Sequence, residues 1–185
     1  MLKDVIKDAE SRMDKALDAL RRDLEGVRTG RASTALVDRI TVESYGTIMP
    51  LNQVAGISVP EARMIVIQPW DKGTIGAIEK AIQRSDLGLN PNNDGSSIRI
   101  NLPPLTEERR KQLVKVVHSN VEDAKVSIRN VRRDAMSTLK ELSDEGEISE
   151  DDGKRGSSQV DDVTKKHVEE ADRIGKSKEQ EILEF

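Results

Sequence analysis

Leu102–Lys111 reads L-P-P-L-T-E-E-R-R-K. The pair Pro103-Pro104 resists continuing either a strand or a helix. Thr106 is a good helix N-cap, and Glu107 and Glu108 fall in the first turn, where the helix dipole favours anions. One kind of structure therefore stops here and another begins. Downstream, Leu113, Val117, Val121, Ala124, Ile128, Val131, Ala135, Leu139 and Leu142 recur at steps of three and four, which predicts one long amphipathic helix closed by Asp144-Glu145-Gly146. Ser149-Glu150-Asp151-Asp152 resembles a capping box that opens another helix. Its stripe is weaker: Val160, Val163, His167, Ala171, Ile174 and Ile182. Gly153, Gly156 and Gly175 sit inside it, and each costs about 1 kcal/mol relative to Ala in a helix interior. This last helix is therefore expected to fray or bend.

Upstream of Leu102 the pattern is different. Arg39–Tyr45, Ile48–Leu51, Ile57–Val59, Met64–Ile67 and Ser97–Leu102 are short, β-rich runs. Gly46 and Pro60–Arg63 are predicted turns, and Gly88–Gly95 is a loop rich in Gly, Asn and Pro. Thr74–Asp86 carries Ile75, Ile78, Ala81 and Ile82 at helical spacing. Before this region, Val5/Ile6, Ala9, Met13, Ala16/Leu17, Leu20, Leu24 and Val27 predict a first long helix to about Arg28. Thr29-Gly30 should end it, with Gly30 as the left-handed C-cap. Three long stripes can bury themselves only against one another. The predicted fold is therefore α+β: a three-helix bundle from residues 1–29 and 106–185, with a small α/β domain, 30–105, inserted after the first helix. Two chain crossings would act as a paired hinge, made of Thr29, Gly30 and Arg31 on one side and Pro103, Pro104 and Leu105 on the other.

The chain has 185 residues and no cysteine, which excludes disulfides, thiolate metal sites and a thiol nucleophile. The first ten residues, M-L-K-D-V-I-K-D-A-E, contain no apolar core of a signal peptide. No apolar run approaches the roughly 20 residues that span a bilayer. A cytoplasmic protein without a membrane partner is expected. Enzyme signatures are weak. Gly146–Lys154 is spaced too widely for a phosphate loop, and Arg155 stands where Ser or Thr is needed. Asn92-Asn93-Asp94-Gly95 lacks the glutamate of a calcium loop and suits a plain turn. His118 is expected in solvent and His167 at a core edge, with no metal site. The expectation is a binding protein with no cofactor and no catalytic residues.

Charge is uneven along the chain. The net charge is -4, yet residues 105–140 carry nine basic and five acidic side chains, whereas 141–185 carry seven basic and fifteen acidic. Charge matching between neighbouring helices accounts for that contrast in sign. It does not account for Lys125-Val-Ser-Ile-Arg-Asn-Val-Arg-Arg-Asp134, which gathers Lys125, Arg129, Arg132 and Arg133 on one flank of the long stripe. Further basic residues, Arg28, Arg31, Arg109 and Arg110, lie by the chain crossings. Arginine favours bidentate contacts with phosphate or carboxylate. RNA is the natural anionic partner. With one Trp, one Tyr and one Phe, the chain has no platform for stacking bases, so phosphate and shape contacts to folded RNA fit better than single-strand recognition.

Five stretches carry a family resemblance: V-R-T-G-R-A-S (Val27–Ser33), S-D-L-G-L-N-P (Ser85–Pro91), Leu102–Lys111, I-R-N-V-R-R-D (Ile128–Asp134) and E-I-S-E-D-D (Glu147–Asp152). In this order they resemble bacterial ribosome recycling factors over essentially the full length. The resemblance implies an L-shaped molecule in which a three-helix bundle joins a β/α/β domain through a two-stranded hinge. It also implies a monomer without catalytic activity that binds the post-termination ribosome. With elongation factor G, which supplies GTP hydrolysis, the factor would split the subunits and release mRNA and tRNA. It implies that Arg129, Arg132 and Arg133 contact large-subunit ribosomal RNA, and that the smaller domain swings when elongation factor G engages. The residues alone leave a second reading open, a helical RNA-binding adaptor or RNA chaperone without recycling activity.

Overall fold

The computed structural model describes residues 1–27, 29–85 and 87–184. In chain order its helices are α1 (Leu2–Glu25), α2 (Leu51–Val54), α3 (Ile75–Arg84), α4 (Glu107–Asp144) and α5 (Glu150–Glu184). Its strands are β1 (Thr41–Ser44), β2 (Thr47–Pro50), β3 (Ala55–Glu61), β4 (Met64–Pro69), β5 (Pro91–Asn93) and β6 (Ile98–Asn101). The chain divides into two compact units, Met1–Thr29 with Thr106–Glu184, and Gly30–Leu105.

The first unit is a bundle of α1, α4 and α5. Its apolar stripes meet in a core that includes Met13, Leu20, Ile128, Leu139 and Ile182, all fully buried. Each such side chain contributes about 2 kcal/mol of burial free energy. At 38 residues α4 is about 57 Å long, so it presents a long outer face as well as a core face. Its start is as the sequence predicts: Thr106 Oγ1 accepts the Arg109 amide at 3.1 Å. Its end is a Schellman turn. The Glu147 amide donates to the Leu142 carbonyl, the Gly146 amide donates to that of Ser143, and Gly146 takes φ +75°. Ser149 Oγ accepts the Asp152 amide at 3.1 Å and opens α5.

Two expectations for the bundle are corrected. First, α1 stops at Glu25, before Arg28, and Gly26 at φ −73° follows it. Gly26 has a low helix propensity and the Val27 amide turns back to the Leu24 carbonyl, so the last turn tightens early. Gly30 does take φ +80°, but outside the helix. Second, α5 does not fray at its glycines; it runs without interruption as one helix from Glu150 to Glu184. Gly156 and Gly175 are buried. A Cβ on Gly156 would stand 2.6 Å from Leu2 Cδ1 and 3.1 Å from Leu139 Cδ2, and one on Gly175 would overlap Val121 Cγ2. These two glycines mark points where helices approach closely. Packing there offsets their low helix propensity.

The second unit is an antiparallel sheet of order β3-β4-β6-β5, beside a separate β1-β2 hairpin. Ile65 pairs with Ile100 and Ile67 with Ile98, so all four fall on one face, where they are fully buried with Ile78 and Ile82 of α3. That alternation is the mark of a sheet covered on one side. The β1-β2 connection is Tyr45-Gly46, both at positive φ, as a two-residue hairpin of this twist requires. Tyr45 Oη donates to Asp71 Oδ2 at 2.6 Å, tying the hairpin to the turn before α3.

Boundaries differ from the sequence reading in three places. β3 continues through Pro60 to Glu61, leaving only Ala62 and Arg63 as the turn. A bulge between Ser58 and Glu61 accommodates the missing proline N–H. Leu51 opens the single turn α2 instead of ending a strand. Pro91–Asn93, within the expected loop, is an edge strand on β6.

The loop after β5 is organised by Asp94. Its carboxylate accepts the amides of Ser96 and Ser97 at 2.9 and 2.7 Å, and both of their hydroxyls. Those bonds hold its pKa well below the usual carboxylate range. A depressed folded-state pKa contributes stability above the ordinary aspartate pKa of about 3.9, lost as pH falls through and below it. The stability difference between the wild type and Asp94→Ala should therefore stay level in urea titrations from pH 6 to about pH 5 and shrink as the pH is taken on to 3 and below. A constant difference would contradict this.

Candidate nucleic-acid interface

Ile128, Val131 and Ala135 of α4 point into the bundle core. Residues one position beyond each core residue fall on the flank beside it, because 3.6 residues make a turn. Lys125, Arg129 and Arg132, each one position after Ala124, Ile128 and Val131, accordingly share the flank next to α5, and Arg133, one residue further round, faces outward beside them. Arg129 and Arg133, four residues apart, lie one above the other. The opposite flank carries Asp123, Asp134 and Glu141. There Asp134 accepts Arg12 of α1 at 2.8 Å. Within residues 125–134 the basic side chains of α4 thus lie to one side and Asp134 to the other.

The four cations are not equivalent. Arg132 Nε donates to Asp161 Oδ1 of α5 at 2.8 Å. Lys125, only 18% exposed at its side chain, pairs with Asp172 at 2.5 Å. Arg129 and Arg133 are exposed and, among the described residues, make no hydrogen bond or ion pair. Arg129, Arg132, Asp161, Thr164, Lys165, Val168 and Glu169 line an open depression of about 490 Å³ between α4 and α5. Lys165 was not singled out from the sequence, since it sits in a strongly acidic helix. Only the packing of α5 on α4 brings it to the strip. Fixed donors with unengaged N–H groups beside an open depression are suited to phosphate oxygens.

The remaining bundle features do not converge on chemistry. His118 is exposed, with Nε2 at 3.3 Å from Glu179. His167 sits at the core edge, its nitrogens 2.7 Å from the Val163 carbonyl and 2.7 Å from Asp14. Among the described residues no group of three His, Asp or Glu side chains could hold a metal ion. No described helix is long and apolar enough to cross a membrane.

Comparison with known proteins fits this arrangement to a family. Residues 20–183 match the model of the ribosome recycling factor family. The chain belongs to the ribosome recycling factor family. It is 53% identical over 185 residues to the ribosome-recycling factor of Thermomicrobium roseum, covering all of both chains. It is 57% identical to that of Chloroflexus aggregans over 183 residues, 99% of each. Among solved structures, the solution structure of a ribosome recycling factor matches with a TM-score of 0.74 at 47% identity, over 100% of this chain and 98% of that one. A second match has a TM-score of 0.62 at 47% identity and covers 99% of each chain. It is the T. thermophilus ribosome recycling factor described with E. coli elongation factor G bound to the E. coli post-termination complex. The α+β fold of a helical bundle with a small β-sheet domain is the fold of this family.

The other basic residues expected at the interface of this family member separate once placed. Arg109 is exposed and donates to Gln112 at 3.1 Å. Arg110 is half-buried, and its Nη1 lies 3.4 Å from the Leu183 carbonyl near the carboxyl end of α5. A guanidinium there satisfies a terminal carbonyl and complements the helix dipole. Its Nε is buried and has no partner among the described residues. Arg110 is thus engaged within the bundle. Arg31 is exposed, in the inserted unit. Arg28 lies outside the described residues.

The expected hinge residues form two stretches without regular structure. Thr29 is buried, Gly30 is at φ +80°, and Pro103, Pro104 and Leu105 precede the cap of α4. Inside the inserted unit both stretches are tied to one turn. The Ala32 amide donates to Ala62 at 2.6 Å and the Leu102 amide to Arg63 at 2.8 Å. A Cβ on Gly30 would stand 3.0 Å from Leu105 Cγ, so the two stretches also pack side by side.

Proposed function

We propose that this chain recycles ribosomes. It binds the post-termination ribosome and, with elongation factor G, promotes dissociation into subunits and release of mRNA and tRNA. The chain itself is not an enzyme and holds no cofactor; GTP is hydrolysed by elongation factor G. It works as a monomer in the cytoplasm. The observation that carries this reading is the pair Arg129 and Arg133. Unpartnered arginines on a long helix of an acidic chain are a binding surface for an anion, and in this family the anion is large-subunit ribosomal RNA. The bundle anchors on RNA through Arg129, Arg132 and Arg133, with Lys125 in support, while the inserted unit moves about Thr29–Arg31 and Pro103–Leu105 as elongation factor G engages.

The test is subunit splitting of post-termination complexes with elongation factor G and GTP. Acceleration over elongation factor G alone is expected. Ribosome binding without any acceleration would favour the RNA-adaptor reading instead. The hinge has its own expected result. Gly30→Ala forces a side chain into a left-handed conformation at a cost of about 1 kcal/mol and presses on Leu105. Splitting should fall more than binding; equal loss of both would contradict a moving insert.

A further inference from the structure

We propose that Asp161 on α5 is a built-in competitor for RNA phosphate at Arg132, and that it holds the affinity of the strip below what its cations could reach. This rests on the strip being a phosphate contact. Arg132 gives its Nε–H to Asp161 at 2.8 Å, with side chains 42% and 53% exposed. A carboxylate oxygen and a phosphate oxygen are interchangeable acceptors for a guanidinium. Asp161 therefore occupies a donor that phosphate would take. An exposed ion pair adds little to folding stability, so the bundle does not require this one; Ile128, Val131 and Val160 hold α4 and α5 together beneath it. When phosphate reaches Arg132, the carboxylate stays within a few ångströms of it and repels it. Lys125 and Asp172 repeat the arrangement further along the same seam. Two of the four α4 cations are thus neutralised from within, and Arg129 and Arg133, with Lys165 of α5 beside them, meet an incoming backbone uncompensated. A factor that must leave after each round gains from contacts that it can exchange.

The test measures binding to purified bacterial large ribosomal subunits over a range of salt. Asp161→Asn keeps an oxygen for Nε–H and removes only the charge. It should bind up to roughly fivefold tighter, the size of an exposed ion pair, and log K should fall more steeply with log salt, by about 0.7 to 0.9 in slope. Asp162→Asn removes the same charge from an exposed neighbour with no ion pair of its own among the described residues, and should change neither. In an Arg132→Ala background the gain from Asp161→Asn should vanish. No tightening, equal tightening by Asp162→Asn, or a gain that survives Arg132→Ala would overturn the proposal. If instead wild-type binding ignores salt and removal of Arg129 and Arg133, the strip itself is misread, and the role of Asp161 falls with it. Unchanged thermal melting of Asp161→Asn separates either result from a folding defect.

Discussion

Gly175→Ala will destabilise the bundle, although alanine is the better helix former by about 1 kcal/mol. The reason is Val121. A Cβ at position 175 would overlap Val121 Cγ2, while Val121 Cβ and Val117 Cγ1 stand at 3.7 and 3.9 Å. Val121 is β-branched and lies mid-helix in α4, where one χ1 rotamer dominates, so its methyl cannot swing aside cheaply. Overpacking of this kind costs about 1–3 kcal/mol; with Val121 unable to yield, the cost falls in the upper part of that range and the net loss is up to about 2 kcal/mol. A chain of this size then melts up to roughly 8 °C lower. The other two glycines of α5 make the internal comparison. At Gly153 the nearest groups are Ser143 Cβ and Oγ at 3.7 Å, an ordinary contact; Gly153→Ala should stabilise by up to about 1 kcal/mol. At Gly156 the closest atom is the terminal methyl of Leu2 at 2.6 Å, in the first turn of α1. Leu2 can move and Leu139 must give slightly, so Gly156→Ala should fall between. Urea denaturation of the three variants should give opposite signs at 153 and 175. Three stabilisations would mean that propensity alone governs these sites. The pair Gly175→Ala with Val121→Ala should cost less than the sum of its parts, since residues in contact couple.

Those glycines also mark where sequence reasoning about the fold stops. The stripes of α1, α4 and α5 were legible because apolar side chains repeat at 3.6-residue spacing, and the caps at Thr106, Gly146 and Ser149 because each has one physical job. A glycine has no side chain to reveal what it faces. Whether Gly175 is a defect or a contact point depends on Val121, 54 positions away in the chain. The strand Pro91–Asn93 was illegible for a similar reason: it lies at a sheet edge, has no apolar alternation, and owes its conformation to pairing with β6. For the candidate site, the helical spacing of Lys125, Arg129, Arg132 and Arg133 placed them on one flank. It could not say which were already engaged. Arg110 looked like part of a basic patch, yet it reaches towards the carboxyl end of α5. Arg132 looked equal to Arg129, yet it is held by Asp161. Charge patterns in a sequence count cations; only packing between helices shows which of them are free.

The free cations lead to the largest expected effect on binding. Arg129→Ala with Arg133→Ala should weaken ribosome binding by about a hundredfold or more. Hydrogen bonds to charged groups contribute about 1.5–3 kcal/mol each, and 1.4 kcal/mol is a factor of ten. Both side chains are exposed, with no partner of their own among the described residues, so nothing in the bundle offsets their removal. Arg132→Ala should weaken binding less, because that guanidinium must first exchange Asp161 for phosphate. This ranking differs from one based on charge alone, in which the three arginines are equivalent. The salt dependence should flatten too, by about 0.7 to 0.9 in slope for each phosphate that is no longer neutralised. Lysine at both positions should recover only part of the affinity, since an ammonium carries the charge but not the fork that grips two phosphate oxygens. Stability should change by less than about 0.5 kcal/mol, as expected of surface sites. Filter binding to large subunits across salt, with thermal melting as the control, decides the matter. A double variant that binds within twofold of the wild type would remove the strip from the interface, and one that melts early would make it part of the fold.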